Sequence, residues 1–136
     1  MHRQPRGRRD RGSAVAEFVM VAGLLLFVAM GVFQLGLALY VRNSLISAAS
    51  EGARIAARAD ATPQAGVERT TQLITAGLST RFAEDVTAAE RVSDGVLVVE
   101  VVVRAPLPVI GPIGPAGSLV VSGRAFSERQ VAAGAS

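Results

Sequence analysis

The 136-residue chain lacks cysteine, lysine and tryptophan, and its one histidine is His2. Without cysteine it can form neither a disulfide nor a thiolate metal site, and it has no thiol nucleophile. With imidazole confined to the N-terminal end, most metal-dependent and triad-based reactions lack the side chains they need. We therefore expect a protein that is not an enzyme and has neither a cofactor nor a small-molecule substrate.

Positive charge is concentrated at the N-terminus. The first 12 residues contain five of the 14 arginines and carry a net charge of +4, whereas the other residues sum to −1. A nucleic-acid-binding domain needs a basic face on its folded part. Because the body of this chain is not basic, the sequence predicts no nucleic-acid partner.

Aromatic residues are scarce, yet half of the chain is hydrophobic, so aliphatic residues and alanine dominate. Residues 18–41, FVMVAGLLLFVAMGVFQLGLALYV, are 24 consecutive uncharged residues in which Gln34 is the one strongly polar side chain. As a helix they would extend roughly 36 Å, longer than a hydrocarbon core of about 30 Å. The run is too long for a cleaved secretory signal, and so short a chain cannot cover it on all sides. It predicts one membrane-spanning helix.

The arginines before this run indicate its orientation. Positively charged flanks remain in the cytoplasm, so we expect a cytoplasmic N-terminus and a C-terminal part outside the membrane. The alanine-rich residues 42–59 should continue the helix outward. Thr62 and Pro63 then form a cap and a first turn for a second helix. The spacing predicts that its buried face consists of Val67, Thr71, Ile74, Leu78 and Phe82.

The rest of the chain has the pattern of a three-stranded antiparallel sheet. Strands are predicted at residues 86–92, 96–104 and 119–126, with a two-residue turn at Asp94 and Gly95 and a proline-rich loop at residues 105–117. The middle strand is apolar on both faces except at Glu100, so it should be central, or else its second face should meet another subunit. The turn places Arg91 diagonal to Glu100. The fold class is α+β. We expect a basic cytoplasmic leader at 1–12, a transmembrane helix with its helical extension at 13–60, a small α+β domain at 61–127 and a flexible tail at 128–136.

The most informative residues lie between the basic leader and the apolar run. Gly12 and Ser13 are followed by three small or apolar residues and then by Glu17 and Phe18. One interpretation is helix capping, with Ser13 as the N-cap and the carboxylate favoured by the helix dipole. The other is that the segment resembles the processing site of type IV prepilins. That resemblance implies cleavage between Gly12 and Ser13 by a prepilin peptidase, which leaves Glu17 available to a cationic amino group of a neighbouring subunit.

Within that superfamily the chain most resembles TadE-like proteins, the pseudopilins or minor pilins of tight-adherence (Flp) pilus systems. The resemblance is carried by GSAVAEF at 12–18, by the long apolar segment and by AASEGARIAA at 48–57. Within the last of these, the residues typical of the family are Glu51, Gly52, Ala53 and Arg54. An alternative for Glu51 and Arg54 is a solvated ion pair, and TadF-like and TadG-like proteins share the pattern.

The resemblance implies a pilin-like architecture and a role in pilus assembly. The implied partners are the prepilin peptidase, the major Flp pilin, other minor pilins, the lipid bilayer and the inner-membrane platform with its ATPase. The alternative function is a single-pass anchor that presents an extracytoplasmic binding module and has no connection with pili.

Overall fold

A computed structural model describes residues 9–109 and 117–129, with side chains from residue 12 onward. The elements are α1 (Arg9–Ala56), α2 (Pro63–Gly77), a 3₁₀ turn (Thr80–Phe82), β1 (Asp85–Ser93), β2 (Val96–Pro106) and β3 (Ser118–Phe126). This confirms the predicted α+β class, with a long apolar helix, a second helix and a three-stranded antiparallel sheet.

Contacts divide the chain into two units, Met1–Gly36 and Leu37–Ser136. In residues 12–36 of the first unit no side chain is buried, and Phe27 is 78% exposed. Helix α1 is long and apolar enough over Gly12–Ala56 to cross a membrane, with a mean hydropathy of 2.4 in its most apolar stretch. The first unit is thus consistent with a membrane anchor. The predicted boundaries at residues 12, 60 and 127 remain predictions.

The second unit has its core between α1, α2 and one face of the sheet. Leu45, Ala49 and Ala53 of α1 are fully buried against that face. On the face itself, Val101 and Val103 of β2 are fully buried. The small residues of α1 let the helix lie close to the branched side chains of the sheet. Burial of each valine side chain contributes about 1.5–3 kcal/mol to the stability of the fold. The second half of α1 is therefore part of the core of the small domain.

Helix α2 begins as predicted. The Thr62 side chain accepts a hydrogen bond from the Ala65 amide at 3.4 Å, and Pro63 is the first helical residue. Its predicted buried face is partly wrong, because α2 ends at Gly77 and the side facing the core carries Gly66, Thr70 and Ile74. Helix α2 is rotated about its axis relative to the orientation predicted from its hydrophobic residues, because Gly66 permits close approach to α1.

The order of the sheet is β1-β2-β3 with β2 central, as predicted. Asp94 and Gly95 both have positive φ, 53° and 79°, and Ser93 pairs with Val96 across them. This geometry is typical of the two-residue turn that matches the twist of antiparallel strands. The turn therefore sets the register in which Arg91 lies opposite Val98.

The residues after β3 contact the chain just beyond the end of α1. The Glu128 amide donates a 2.8 Å hydrogen bond to the Ala57 carbonyl oxygen. Arg129 forms a 2.6 Å ion pair with Glu90 and a 2.6 Å hydrogen bond to the Ala61 carbonyl oxygen. Contacts from the start of the predicted tail therefore reach the α1–α2 connection and β1, and residues 130–136 of that tail lie outside the described residues.

A glycine in β3 allows α1 to contact the sheet through its main chain. A Cβ atom at Gly123 would collide with main-chain atoms of Ala49 and Ser50, and would lie 2.5 Å from the Ala49 carbonyl oxygen. Backbone atoms cannot move aside as a flexible side chain can, so any larger residue would push the helix from the sheet.

We predict that Gly123→Ala destabilises the small domain by about 1–3 kcal/mol or more, because it overpacks a rigid contact. Thermal unfolding of the full chain in detergent, followed by circular dichroism, measures the change. The matched control is Gly77→Ala, where an added Cβ meets no atom within 4 Å. Equal melting temperatures for the two variants would contradict the packing described above.

Candidate functional site

The predicted processing site lies inside helix α1. Gly12 and Ser13 follow the helix start at Arg9, so Ser13 has helical neighbours on both sides. The capping interpretation of Ser13 is therefore wrong, because an N-cap residue precedes the first helical turn. An added Cβ at Gly12 would meet no described atom within 4 Å. Packing among the described residues thus gives no reason for glycine at this position.

Glu17 and Phe18 both project from the exposed surface of α1, and Phe18 is 73% exposed. Among the side chains of residues 12–109 and 117–129, none forms an ion pair with Glu17. A charged residue costs about 2.5–3.5 kcal/mol at the centre of a membrane-spanning helix and less near the interface. At the start of an apolar helix, this carboxylate would gain from a cation supplied by another molecule.

The charged residues of the second motif face solvent. Glu51 and Arg54 form an i,i+3 ion pair at 3.8 Å, with side chains 40% and 75% exposed. Such a pair contributes only a few tenths of a kcal/mol to helix stability. This geometry agrees with the alternative of a solvated ion pair.

The small residues of the same motif face inward. Ala53 is fully buried, and Gly52 lies so close to α2 that an added Cβ would stand 2.6 Å from the Gly66 carbonyl oxygen and collide with Thr70. The Thr70 hydroxyl donates a 3.3 Å hydrogen bond to the Ala48 carbonyl oxygen. Residues 51–54 therefore combine a solvent-exposed ion pair with a close contact between two helices.

Three residues in the close contacts that α1 makes with α2 and with β3 were not predicted from the sequence. Gly66 and Gly123 carried a usable signal, since glycine inside a helix or strand often marks close backbone approach. Thr70 carried none, because a threonine on a helix is more often exposed than buried.

A second cluster of charges lies on the sheet. Glu100 is buried, and its carboxylate forms ion pairs with Arg91 Nε at 3.1 Å and with Arg124 Nη2 at 2.8 Å. The predicted pairing of Arg91 with Glu100 is confirmed. Arg124, directly opposite Glu100 in the register of β2 and β3, was not anticipated. Among the described residues, no group of three His, Cys, Asp or Glu side chains could hold a metal ion.

Comparison with known families gives one result for α1. Residues 12–54 match the family model of TadE-like proteins. The resemblance to the TadE-like family is confirmed over this segment. No curated protein and no solved structure matches the chain.

The TadE-like segment covers about a third of the chain and lies within α1. It contains the junction at Gly12, the exposed apolar stretch and the motif that ends at Arg54. It therefore joins a candidate anchor to the helix surface that packs in the small domain. A segment of this kind suggests involvement in Tad pilus systems.

We predict that Gly52→Ala loosens α2, because the added methyl group collides with Thr70 and the Gly66 carbonyl oxygen. Hydrogen–deuterium exchange of the full chain should show faster exchange of α2 amides than in the unchanged protein. Gly36→Ala, in the same helix but with no neighbour within 4 Å of the new methyl group, is the control. Unchanged protection of α2 in Gly52→Ala would show that the contact between the helices is not tight.

Proposed function

We propose that the protein is a membrane-anchored pseudopilin or minor pilin that takes part in assembly of a Flp-type type IV pilus. The observation that carries this proposal is the TadE-like match over residues 12–54, on a helix whose apolar side chains are exposed up to residue 36. An apolar surface of this kind is unfavourable in water and is stable in lipid or when packed against other apolar helices. The role is assembly, with no chemical reaction carried out by the protein itself.

In this proposal α1 anchors the protein as a single-pass span. The leader's charge of +4 keeps the N-terminus in the cytoplasm and places the small domain outside. The helix is stored in the bilayer and later packs with similar helices of the major Flp pilin and other minor pilins. The inner-membrane platform with its ATPase supplies the work of assembly.

The proposal gives Gly12 and Glu17 distinct roles. Cleavage after Gly12 by a prepilin peptidase removes five arginines that would obstruct packing in the membrane. It also creates an α-amino group, and this cation on one subunit can pair with the exposed Glu17 carboxylate of its neighbour. Since α1 is helical from Arg9, the turn around Gly12 must open before cleavage, and glycine lowers the cost of opening by about 1 kcal/mol relative to alanine.

We predict that residues 1–12 are removed when a prepilin peptidase is co-expressed. Intact-mass spectrometry of the membrane-extracted protein should show a chain beginning at Ser13. Gly12→Val should prevent the cleavage, whereas Gly23→Val, on the exposed part of the same helix, should not. A full-length N-terminus with the peptidase present would instead favour an unprocessed anchor that carries a binding module.

We predict that Glu17→Ala leaves membrane insertion intact and lowers the number of surface fibres, because it removes the carboxylate that pairs with a neighbouring subunit. Fibre counts by electron microscopy, in cells that make the pilus, measure the effect. Glu68→Ala, which removes an exposed carboxylate from α2, is the control. Normal fibre numbers for Glu17→Ala would contradict a role of this carboxylate in contacts between subunits.

A further inference from the structure

One face of the sheet has no described helix packed on it. The side chains of Val99, Val101 and Val103 point to the helices and are fully buried. Because side chains alternate along a strand, the residues between them point the other way. We call this second side the outer face. By the register of the strands, it includes Arg91, Val96, Val98, Glu100, Arg124 and Phe126.

A charged cluster that spans all three strands occupies the centre of the outer face. The Glu100 side chain is 9% exposed, whereas those of Arg91 and Arg124 are 68% and 69% exposed. Arg124 donates a 2.9 Å hydrogen bond from Nε to one carboxylate oxygen, from which its Nη2 also lies 2.8 Å away, and Arg91 forms a 3.1 Å ion pair with the other oxygen. The buried carboxylate therefore holds two guanidinium groups whose other N–H donors remain available at the surface.

The cluster is only part of the charge on this surface, because Asp94 also lines the hollow beside it. Two arginines and one glutamate sum to +1 and Asp94 offsets this, so a carboxylate is attracted by the exposed N–H donors of the two arginines and not by net charge. Desolvating Glu100 is costly, and replacing a buried ion cluster with apolar residues is often neutral or stabilising. What the carboxylate provides is a fixed position for two long side chains, which lowers the entropy lost when they bind an anion.

A mainly apolar hollow of about 450 Å³ is lined in part by the cluster itself and elsewhere by Ser93 and by Asp94 of the hairpin turn. Val96 and Val98 line it together with Phe126, a residue that is 75% exposed. Exposed aromatic rings beside arginine are typical of the residues that dominate binding energy at protein interfaces. A concave site of this size accepts a side chain, which a flat membrane surface does not supply.

We propose that the outer face docks a peptide segment of a partner protein in which an apolar side chain is followed closely by a carboxylate. The apolar side chain fills the hollow against Val98 and Phe126. The carboxylate accepts hydrogen bonds from the free donors of Arg124 and Arg91. This proposal does not rest on pilus assembly and would hold for any partner with that chemistry.

The test uses the full chain in nanodiscs of phosphatidylcholine, with fluorescein-labelled peptides that contain Phe-Glu, Phe-Gly-Glu or Phe-Gly-Gly-Glu between glycines. Fluorescence polarisation at low salt should show saturable binding of at least one peptide. Its Glu-to-Gln and Phe-to-Ala analogues should each bind about tenfold more weakly, since each loses one half of the contact. Failure of all three peptides to bind would overturn the proposal.

Variants of the protein locate the binding. Arg124→Gln and Phe126→Ala should each weaken binding of the best peptide about tenfold or more. Arg69→Gln, which removes an exposed arginine from α2, should leave it unchanged. Because the Phe126 side chain is largely exposed, its variant should keep the fold even if Arg124→Gln does not. Equal binding by Phe126→Ala and the unchanged protein would overturn the proposal.

A membrane surface is the competing ligand for an exposed phenylalanine beside arginines. Vesicles of phosphatidylserine and phosphatidylcholine in equal parts, mixed with the nanodisc-bound protein, test this alternative. If the vesicles bind with the same dependence on Arg124 and Phe126 and displace the peptide, the outer face recognises lipid and the proposal is wrong. Peptide binding that persists in their presence supports it.

Discussion

The close approach of the α1 main chain to its neighbours is the constraint on which the small domain depends. Gly123 admits the helix backbone against β3, and Gly52 and Gly66 admit it against α2. Dispersion forces fall off steeply with distance, so a gap of even half an ångström between packed atoms removes much of their attraction. Without these glycines, neither Val101 nor Ala49 could be fully buried. Three positions without side chains therefore organise a core made of many small and branched ones.

Helix α1 meets two different environments, and the sizes of its side chains change accordingly. Up to residue 36 its large apolar residues are exposed, as expected of a surface that meets lipid or like helices. From residue 48 onward alanine and glycine face the core, because a helix can lie close to a sheet only through small side chains. The TadE-like match spans this change of environment. The two parts of the match thus meet different surroundings: the exposed apolar part suits lipid or like helices, and the part from residue 48 packs within the small domain.

The sequence predicted what depends on local chemistry. The Asp94–Gly95 turn has a conformation that few residues adopt, so it determined the register and with it the pairing of Arg91 with Glu100. The cap at Thr62 followed from the same kind of rule. The buried face of α2 was misjudged because hydrophobicity was used to choose it, whereas close approach at Gly66 decided the rotation. In the candidate site, the sequence pattern identified residues 51–54 as a motif. It did not predict that Gly52 and Ala53 pack inward while Arg54 faces solvent.

The surfaces left for partners follow from how the sheet is used. Its inner face is occupied by the helices, and its outer strands carry the charged side chains of Asp85, Arg91 and Arg124. Charges on edge strands oppose the edge-to-edge pairing by which sheets aggregate. These charges disfavour binding of a partner by strand pairing at the edges of the described sheet. The outer face, where Glu100 holds two arginines beside a mainly apolar hollow, then offers both the fixed charge and the concavity that selective docking requires.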